Sequence, residues 1–413
     1  MSTIAEKLEQ LNQVKANIKL AIEAKGVSDV GVNFTLYPDK IASIPTGGST
    51  SGVSQWTGTV DRTGLTELGW STTDIDNLQA NVRWYDWQDP DYTVVDADKS
   101  ITDISQYQNN KNVRYVKMLD TSQVTDMYKK FNACSNLTSI PTLDTSKVTD
   151  MDGMFSGCHR LAFIPALDTS QVTDMGRMFE SCFNLTSIPA LNTSQVTTMY
   201  SMFYGCSSLT SIPALNTSKV TDMSGMFESC FNLTSIPTLD TSKATDMRSM
   251  FSSCSRLTSI PTLDTSQVTL MSGMFRGCTS LTSIPALDTS KATDMSSMFN
   301  GCKGLTTIES IDFSSCTDVS YMFPSWPKLD KLTSIHVTGS ISFSWTSDGF
   351  SNIPNLDFNS IKSILEAMNR CTNPETAKTM SFKSTITDQD SQLTNLVSEC
   401  NGKGWTITGL TIN

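Results

Sequence analysis

Histidine is almost missing from this chain, with only His159 and His336 among 413 residues. Neither sits in a recognisable nucleophile, base and acid motif, and the sequence has no HExxH, no P-loop and no dinucleotide fingerprint, so an enzyme is not expected. The carboxylates recur too regularly to mark one active site. A glycan-cleaving pair is the enzymatic alternative, because paired acids have no fixed spacing in sequence. Basic charge is short as well: 30 Lys and Arg face 41 Asp and Glu, a formal net charge of -11. That balance disfavours a phosphate-binding surface and argues against a nucleic-acid partner. No apolar run approaches the length of a bilayer span, so no membrane insertion is expected. The opening MSTIAEKLEQLNQVKANIKL has no basic region followed by an apolar one, and export through a secretory pathway is not expected either.

What the chain has is repetition. Residues 119–310 write one 24-residue phrase eight times, with a few substitutions: L-[DN]-T-S-[KQ]-[VA]-T-x-M-x-x-M-F-x-x-C-x-x-L-x-x-I-P-[TA]. Cys134, Cys158, Cys182, Cys206, Cys230, Cys254, Cys278 and Cys302 keep the period without slippage. A fixed period of this size predicts a solenoid in which each unit stacks on its neighbours. In the second copy the apolar positions are Leu143, Val148, Met151, Met154, Phe155, Cys158, Leu161 and Ile164. Spacing near three around the unit is neither a strand period nor one long helix, and fits a coil of short segments that each turn a side chain inward. LTSIP reads as the best strand, VTDM as a second short strand, MFxxC as a turn of helix or 3₁₀-helix, and DTS as a turn.

Eight of the eleven cysteines occupy one column between apolar neighbours. They read as reduced, buried thiols rather than a metal ladder or a row of disulfides, because equivalent side chains on stacked coils point the same way. The Asp at positions two and eight, as in Asp144 and Asp150, invites a calcium reading. The glycine-containing spacing of calcium loops is missing, and Asn192, Asn216 and Leu270 interrupt the columns. Turn capping by Asp, Thr and Ser accounts for the same residues. No metal and no cofactor is expected. Lys or Gln at position five offsets part of the carboxylate repulsion between coils.

Positions ten, fourteen, seventeen and eighteen vary in size and charge, which marks solvent. Tyr200, Tyr204, Phe183, Phe231, His159, Arg160, Arg248, Arg256, Arg276, Glu180 and Glu228 stand there. With coils repeating at ~5 Å, these slots should align as a strip for an extended ligand. A merely soluble surface explains the variation too. Exposed Phe183 and Phe231 favour binding, since interface hot spots are rich in aromatics and Arg.

The flanks divide the chain into five parts. In residues 1–45, a stretch over 4–25 reads as an amphipathic helix with Ile4, Leu8, Leu11, Ile18 and Ile22 on one stripe and Gly26 past its end. It either packs on the following segment or serves oligomerisation and docking. Residues 46–52, TGGSTSG, form a linker. Residues 53–118 hold Trp56, Trp70, Trp84, Tyr85, Trp87 and Tyr92, a cluster better explained as the core of a small module than as a sugar-stacking platform. The solenoid takes residues 119–335, including a degenerate ninth copy from Ile311 with Trp326 near the Cys slot. A cap follows over 336–413, with a helix over 357–371, a strand over 378–386, a helix over 391–402 and a closing strand in GKGWTITGLTI.

The phrase C-x-x-L-T-S-I-P followed by L-D-T-S-x-V-T-D-M-x-x-M-F resembles BspA-like leucine-rich repeats of bacterial surface proteins, although 24 residues is shorter than their commoner unit. The resemblance implies an α/β repeat solenoid with an α/β cap at its C-terminal end. LNQVKANIKLAIEAKGV with FTLYPDKIASI resembles the N-terminal segment of phage tail, fibre and baseplate proteins, and GLTELGWSTTDIDNLQANVRWYDWQDPDY looks like a module of similar virion proteins. Together they imply a phage fibre or tail protein, assembled in the bacterial cytoplasm and residing in the virion. Its N-terminal region would dock on other virion proteins, and its solenoid would bind a protein or glycan of the host surface. A homo-oligomer is expected, with a trimer the form common among resembling fibres. A bacterial BspA-like adhesin and a structural virion component without receptor contact are the alternatives.

Overall fold

The computed structural model describes residues 93–95, 108–111, 113–116, 121–323, 329–345, 349–371, 378–388 and 390–413. The chain divides into two compact units, Met1–Pro90 and Asp91–Asn413. The first lies wholly outside the described residues. So do the helix expected over 4–25 with its stripe Ile4, Leu8, Leu11, Ile18 and Ile22, the linker 46–52, the aromatic cluster of the small module, and Trp326. All of the described residues belong to the second unit.

Each 24-residue phrase closes one coil, and the coils stack in parallel register. Single bridges join the eighth positions, Asp126 to Asp150, Asp150 to Asp174, and onward to Asp318. The Met-Phe-Cys stretch explains the register. N–H groups at positions nine, eleven, thirteen and fifteen donate to the next coil: Met151 to Asp174 O (3.0 Å), Gly153 to Gly176 O (2.8 Å), Phe155 to Met178 O (2.9 Å) and Gly157 to Glu180 O (2.7 Å). N–H groups between them close turns inside the coil: Met154 to Met151 O (3.1 Å), Ser156 to Gly153 O (3.1 Å) and Cys158 to Phe155 O (3.0 Å). Alternating the two directions requires a left-handed residue at positions eleven and fifteen. Position eleven carries Gly153 (φ 62), Arg177 (φ 50), Ser201 (φ 50) and Ser249 (φ 54), and position fifteen carries Ala133 (φ 56), Gly157 (φ 74) and Ser253 (φ 62). The turn of helix expected at MFxxC is therefore replaced by consecutive tight turns, since a helix would keep its N–H groups inside the coil.

The strand expected at LTSIP forms only at the far end. Strands β1 (Thr93–Val95) and β2 (Val113–Val116) pair in parallel before the repeats, and a second parallel sheet joins β3 (Ser283–Ile284), β4 (Thr307–Asp312) and β5 (Ser334–Thr338) in that order. Proline explains the difference. It follows Ile in the first seven copies and supplies no N–H to a ladder; Glu309 takes its place in the eighth, where β4 is the first long strand of the repeats. VTDM contributes only its single bridge, backed by Thr N–H bonds such as Thr149 to Thr125 O (3.0 Å).

The interior is a set of columns. From Phe131 to Phe299, and on to Phe323, the position-thirteen rings stack 5.6 to 6.1 Å apart and within 12° of parallel. The Met, Cys and Leu columns around them are buried. Each thiol also donates to the Phe carbonyl of the preceding coil, from Cys158 to Phe131 O (3.1 Å) through Cys302 to Phe275 O (2.9 Å). All eleven cysteines are free. Burial pushes the thiols of Cys134, Cys230 and Cys278 up to about 12, as expected for a small hydrophobe kept from water.

Both Asp columns cap turns. Asp144 Oδ1 accepts from Ser146 N (3.1 Å) and Oγ (2.7 Å), and those bonds hold its carboxyl below the usual range. Asp150 Oδ1 accepts from Asp152 N (2.8 Å) in the same way. Position five links coils through Lys147 to Gln123 (3.1 Å), Lys219 to Gln195 (2.7 Å) and Lys291 to Gln267 (2.9 Å). Among the described residues no group of three or more His, Cys, Asp or Glu is placed to hold a metal ion, and no helix is long and apolar enough to cross a membrane.

The end of the stack is closed by helix α1 (Phe358–Arg370), whose N-cap Asp357 accepts from Ser360 N. Ser360 Oγ accepts from Ile335 N (2.9 Å) and Ser363 Oγ from Val337 N (3.1 Å), so two helical serines occupy the edge of β5 that a further coil would have paired. Ile361, Ile364, Leu365 and Met368 bury the other side of that contact. Strand β6 (Lys378–Ile386), helix α2 (Gln392–Gly402) and strand β7 (Trp405–Ile412) complete the cap, with β6 and β7 parallel. The aromatic column runs on into it through Phe323, Trp345, Phe350 and Phe382.

This construction leads to two measurable outcomes. Ser249→Val places a β-branched residue at φ 54 and should lower stability by about 1–2 kcal/mol, whereas Ser249→Gly should hold or raise it; equal urea midpoints for the two would show the left-handed columns to be dispensable. In the native chain iodoacetamide should modify half-buried Cys371 first and the buried column thiols only on unfolding; mass spectrometry finding Cys230 labelled as fast as Cys371 would contradict a dry column.

Candidate ligand-binding strip

The turn-rich side of the solenoid carries positions ten to eighteen, and left-handed residues at eleven and fifteen set the direction of the side chains beside them. Same-slot side chains on adjacent coils meet. His159 stacks on Phe183 with centroids 4.7 Å apart and planes at 21°. Ser156 Oγ donates to Glu180 Oε2 (3.1 Å), and Ser252 Oγ donates to Glu228 Oε1 (3.4 Å). Glu180 and Glu228 are thus half-buried and hydrogen-bonded, and burial raises the Glu228 carboxyl above its ordinary value. Tyr204 is also half-buried. His159, Arg160, Arg248, Arg256 and Arg276 are exposed, and so are Phe183 (42%) and Phe231 (46%). The variable slots therefore hold two kinds of side chain: Tyr200, Tyr204, Glu180 and Glu228 lie partly under their neighbours, while His159, Arg160, Phe183, Phe231, Arg248, Arg256 and Arg276 face water.

Tyr200 is part of a brace across three coils. Its hydroxyl donates to Asp152 Oδ1 (3.1 Å), 48 positions earlier in the chain. Asp152, only 5% exposed, also accepts from Arg177 through Nε (3.3 Å) and Nη2 (3.0 Å). The guanidinium lies 4.9 Å from the Tyr200 ring centroid. Gly176 makes the reach open, since a Cβ there would come within 2.2 Å of the Tyr200 ring. Burial first, then the negative charge of Asp152, pushes the Tyr200 phenol up to about 12. Arg248 is paired as well, 2.6 Å from Asp246. Arg160, Arg256 and Arg276 make no ion pair among the described residues, and Lys303 joins them at position seventeen of the eighth copy.

Asp152 and the exposed Tyr128 stand at position ten but were not singled out by sequence variation, while Arg177 and the exposed Tyr321 (59%) lie outside positions ten, fourteen, seventeen and eighteen. Tyr128 occupies slot ten of the first copy, the slot of Tyr200. Arg177 and Tyr321 occupy slot eleven, where Gly153, Gly225 and Gly273 recur; glycine alternating with Ser, Lys and Arg was the available sign of a left-handed residue on this face. His336 lies within β5, on its exposed side.

Against known proteins, the family model described as "Mycoplasma protein of unknown function, DUF285" matches residues 99–210, 162–258 and 229–336. Among solved structures, the T. pallidum leucine-rich repeat protein TpLRR is 22% identical with a TM-score of 0.34, over 40% of this chain and 76% of that one. The TLR13–ssRNA13 complex is 13% identical with a TM-score of 0.25, over 72% of this chain and 50% of that one. No curated protein matches the chain. The family matches begin at residue 99, so the N-terminal segment that resembles phage proteins lies outside them. With its repeats matched from end to end, over more than half of its length, the chain belongs to the DUF285 family.

Proposed function

We propose that the solenoid is a surface-binding device whose positions fourteen to eighteen contact a protein or glycan of a bacterial envelope, and that residues 1–45 attach it to other virion proteins as a phage fibre or tail component. The observation that carries the binding reading is the pair Phe183 and Phe231, each more than two-fifths exposed in a column where the next copy holds Ser. Large exposed aromatics are costly to solubility and common in interface hot spots. The virion reading rests on the resemblance of the N-terminal segment, and with it go assembly in the bacterial cytoplasm and a homo-oligomeric state.

A second reading has its own support. The resemblance of the repeat phrase to BspA-like surface proteins favours a bacterial cell-surface adhesin, using the same strip with a different mounting. A virion component that never touches a receptor has no use for exposed aromatics. Labelled antibody on purified particles and on cell envelopes separates the two mountings. For the strip itself, Phe183→Ser combined with Phe231→Ser should reduce retention of the labelled chain on bacterial cells about tenfold or more, the scale of one hot spot, with an unchanged melting temperature. Undiminished retention would remove the strip from the binding surface.

A further inference from the structure

Column seventeen contains a gap. It runs His159, Phe183, Ser207, Phe231, Ser255 from coil to coil. His159 covers one side of Phe183, but the next slot holds Ser207, whose Oγ turns inward to donate to Phe183 O (3.3 Å). Beside it Gly205 is buried against the edge of the Phe183 ring, where an added Cβ would meet Cε1 in ordinary contact at 3.5 Å. Asn232 Nδ2 fixes the floor further by donating to Ser207 O (2.8 Å). The two exposed phenylalanines therefore stand two coils apart in the column, with a small, half-buried hydroxyl residue in the slot between them. A filled ladder would have had an aromatic there, as the buried column does in every copy.

Charge is distributed around this gap. His159 and Arg160 lie on one side, and Arg256, Arg276 and Lys303 follow in the sixth, seventh and eighth copies on the other. In those three copies positions fourteen, seventeen and eighteen hold no acid: Ser252, Ser255, Arg256, then Arg276, Thr279, Ser280, then Asn300, Lys303, Gly304. Glu180 and Glu228, the acids of the strip, are held by Ser156 and Ser252. A chain with net charge -11 thus keeps a face with an aromatic centre and cationic ends.

We infer that this face binds a linear acidic oligosaccharide, one pyranose ring lying over Ser207 between Phe183 and Phe231, and carboxylates on sugars two or three steps along meeting Arg160 on one side and Arg256 and Arg276 on the other. This rests on the strip being the binding surface. A pyranose presents C–H groups on its face and hydroxyls on its rim, which suits flanking aromatic rings and a hydroxyl floor. Each coil advances the surface by roughly one sugar, so a polymer with a regular step stays in register with the columns. Carboxylates give Arg the planar, two-pronged acceptor it pairs with best.

The test uses the full chain with two fluorescent probes, an oligogalacturonate and its methyl ester. The acid should bind at least tenfold more tightly than the ester, and the preference should shrink as salt rises. Arg256→Ser with Arg276→Ser should remove most of that preference. Ser207→Phe adds an aromatic but closes the gap, and should abolish binding of both probes while the melting temperature holds or rises. Equal affinity for acid and ester, or no binding of either, overturns the acidic-glycan assignment; wild-type affinity in Ser207→Phe overturns the gap. If cell retention depends on Phe183 and Phe231 while neither probe binds, the strip survives and this ligand class does not. If neither holds, both fall.

Discussion

Everything in the solenoid depends on how each coil divides its backbone N–H groups. From position nine to sixteen, every second N–H closes a turn within the coil, and the ones between reach the next coil. Backbone donors left without partners in a dry interior would cost about 1–3 kcal/mol each, so the alternation is a strict condition. It is met by a left-handed residue twice per coil, filled by Gly where available and by Ser, Ala, Lys or Arg elsewhere. One inserted residue would exchange the inward and the stacking donors of the whole stretch. That is the physical reason for eight copies without slippage.

Once the backbone is fixed this way, side chains have no choice but to form columns. Phe stacks on Phe, and each Cys finds the Phe carbonyl of the coil before it. The thiol is suited to that place by its size and weak donor rather than by reactivity. The same geometry acts outside, where a residue's partners lie 24 or 48 positions away in sequence. Asp152, Arg177 and Tyr200 sit on three successive coils and make one brace, and a single glycine at 176 makes room for it. Such bracing stiffens part of the strip while the aromatics of column seventeen remain in water.

A stack of this kind has an open edge that must be closed. The cap closes it by imitation. Helix α1 faces β5 with Ser360 and Ser363, whose hydroxyls accept the N–H groups that a further coil would have taken, and Trp345, Phe350 and Phe382 continue the aromatic column. The ladder passes into β5 across residue 335, so the cap grows out of the last coil.

Periodicity alone determined much of this. The inward positions, the burial of the cysteines, the Asp turn caps and the elements of the cap were all legible, because burial and local capping depend on spacing within one unit. Helix α1 and strand β6 fall at the expected residues. Only the tertiary structure decided the conformation of MFxxC and the confinement of regular strand to the last coils, because both depend on where N–H groups go between coils. It also decided which variable side chains are free. Tyr200 and Phe183 look alike as residues in varying slots, yet one is tied to Asp152 and the other stands in solvent. Contacts across coils join positions far apart in sequence, and a reading made within one repeat contains no information about them.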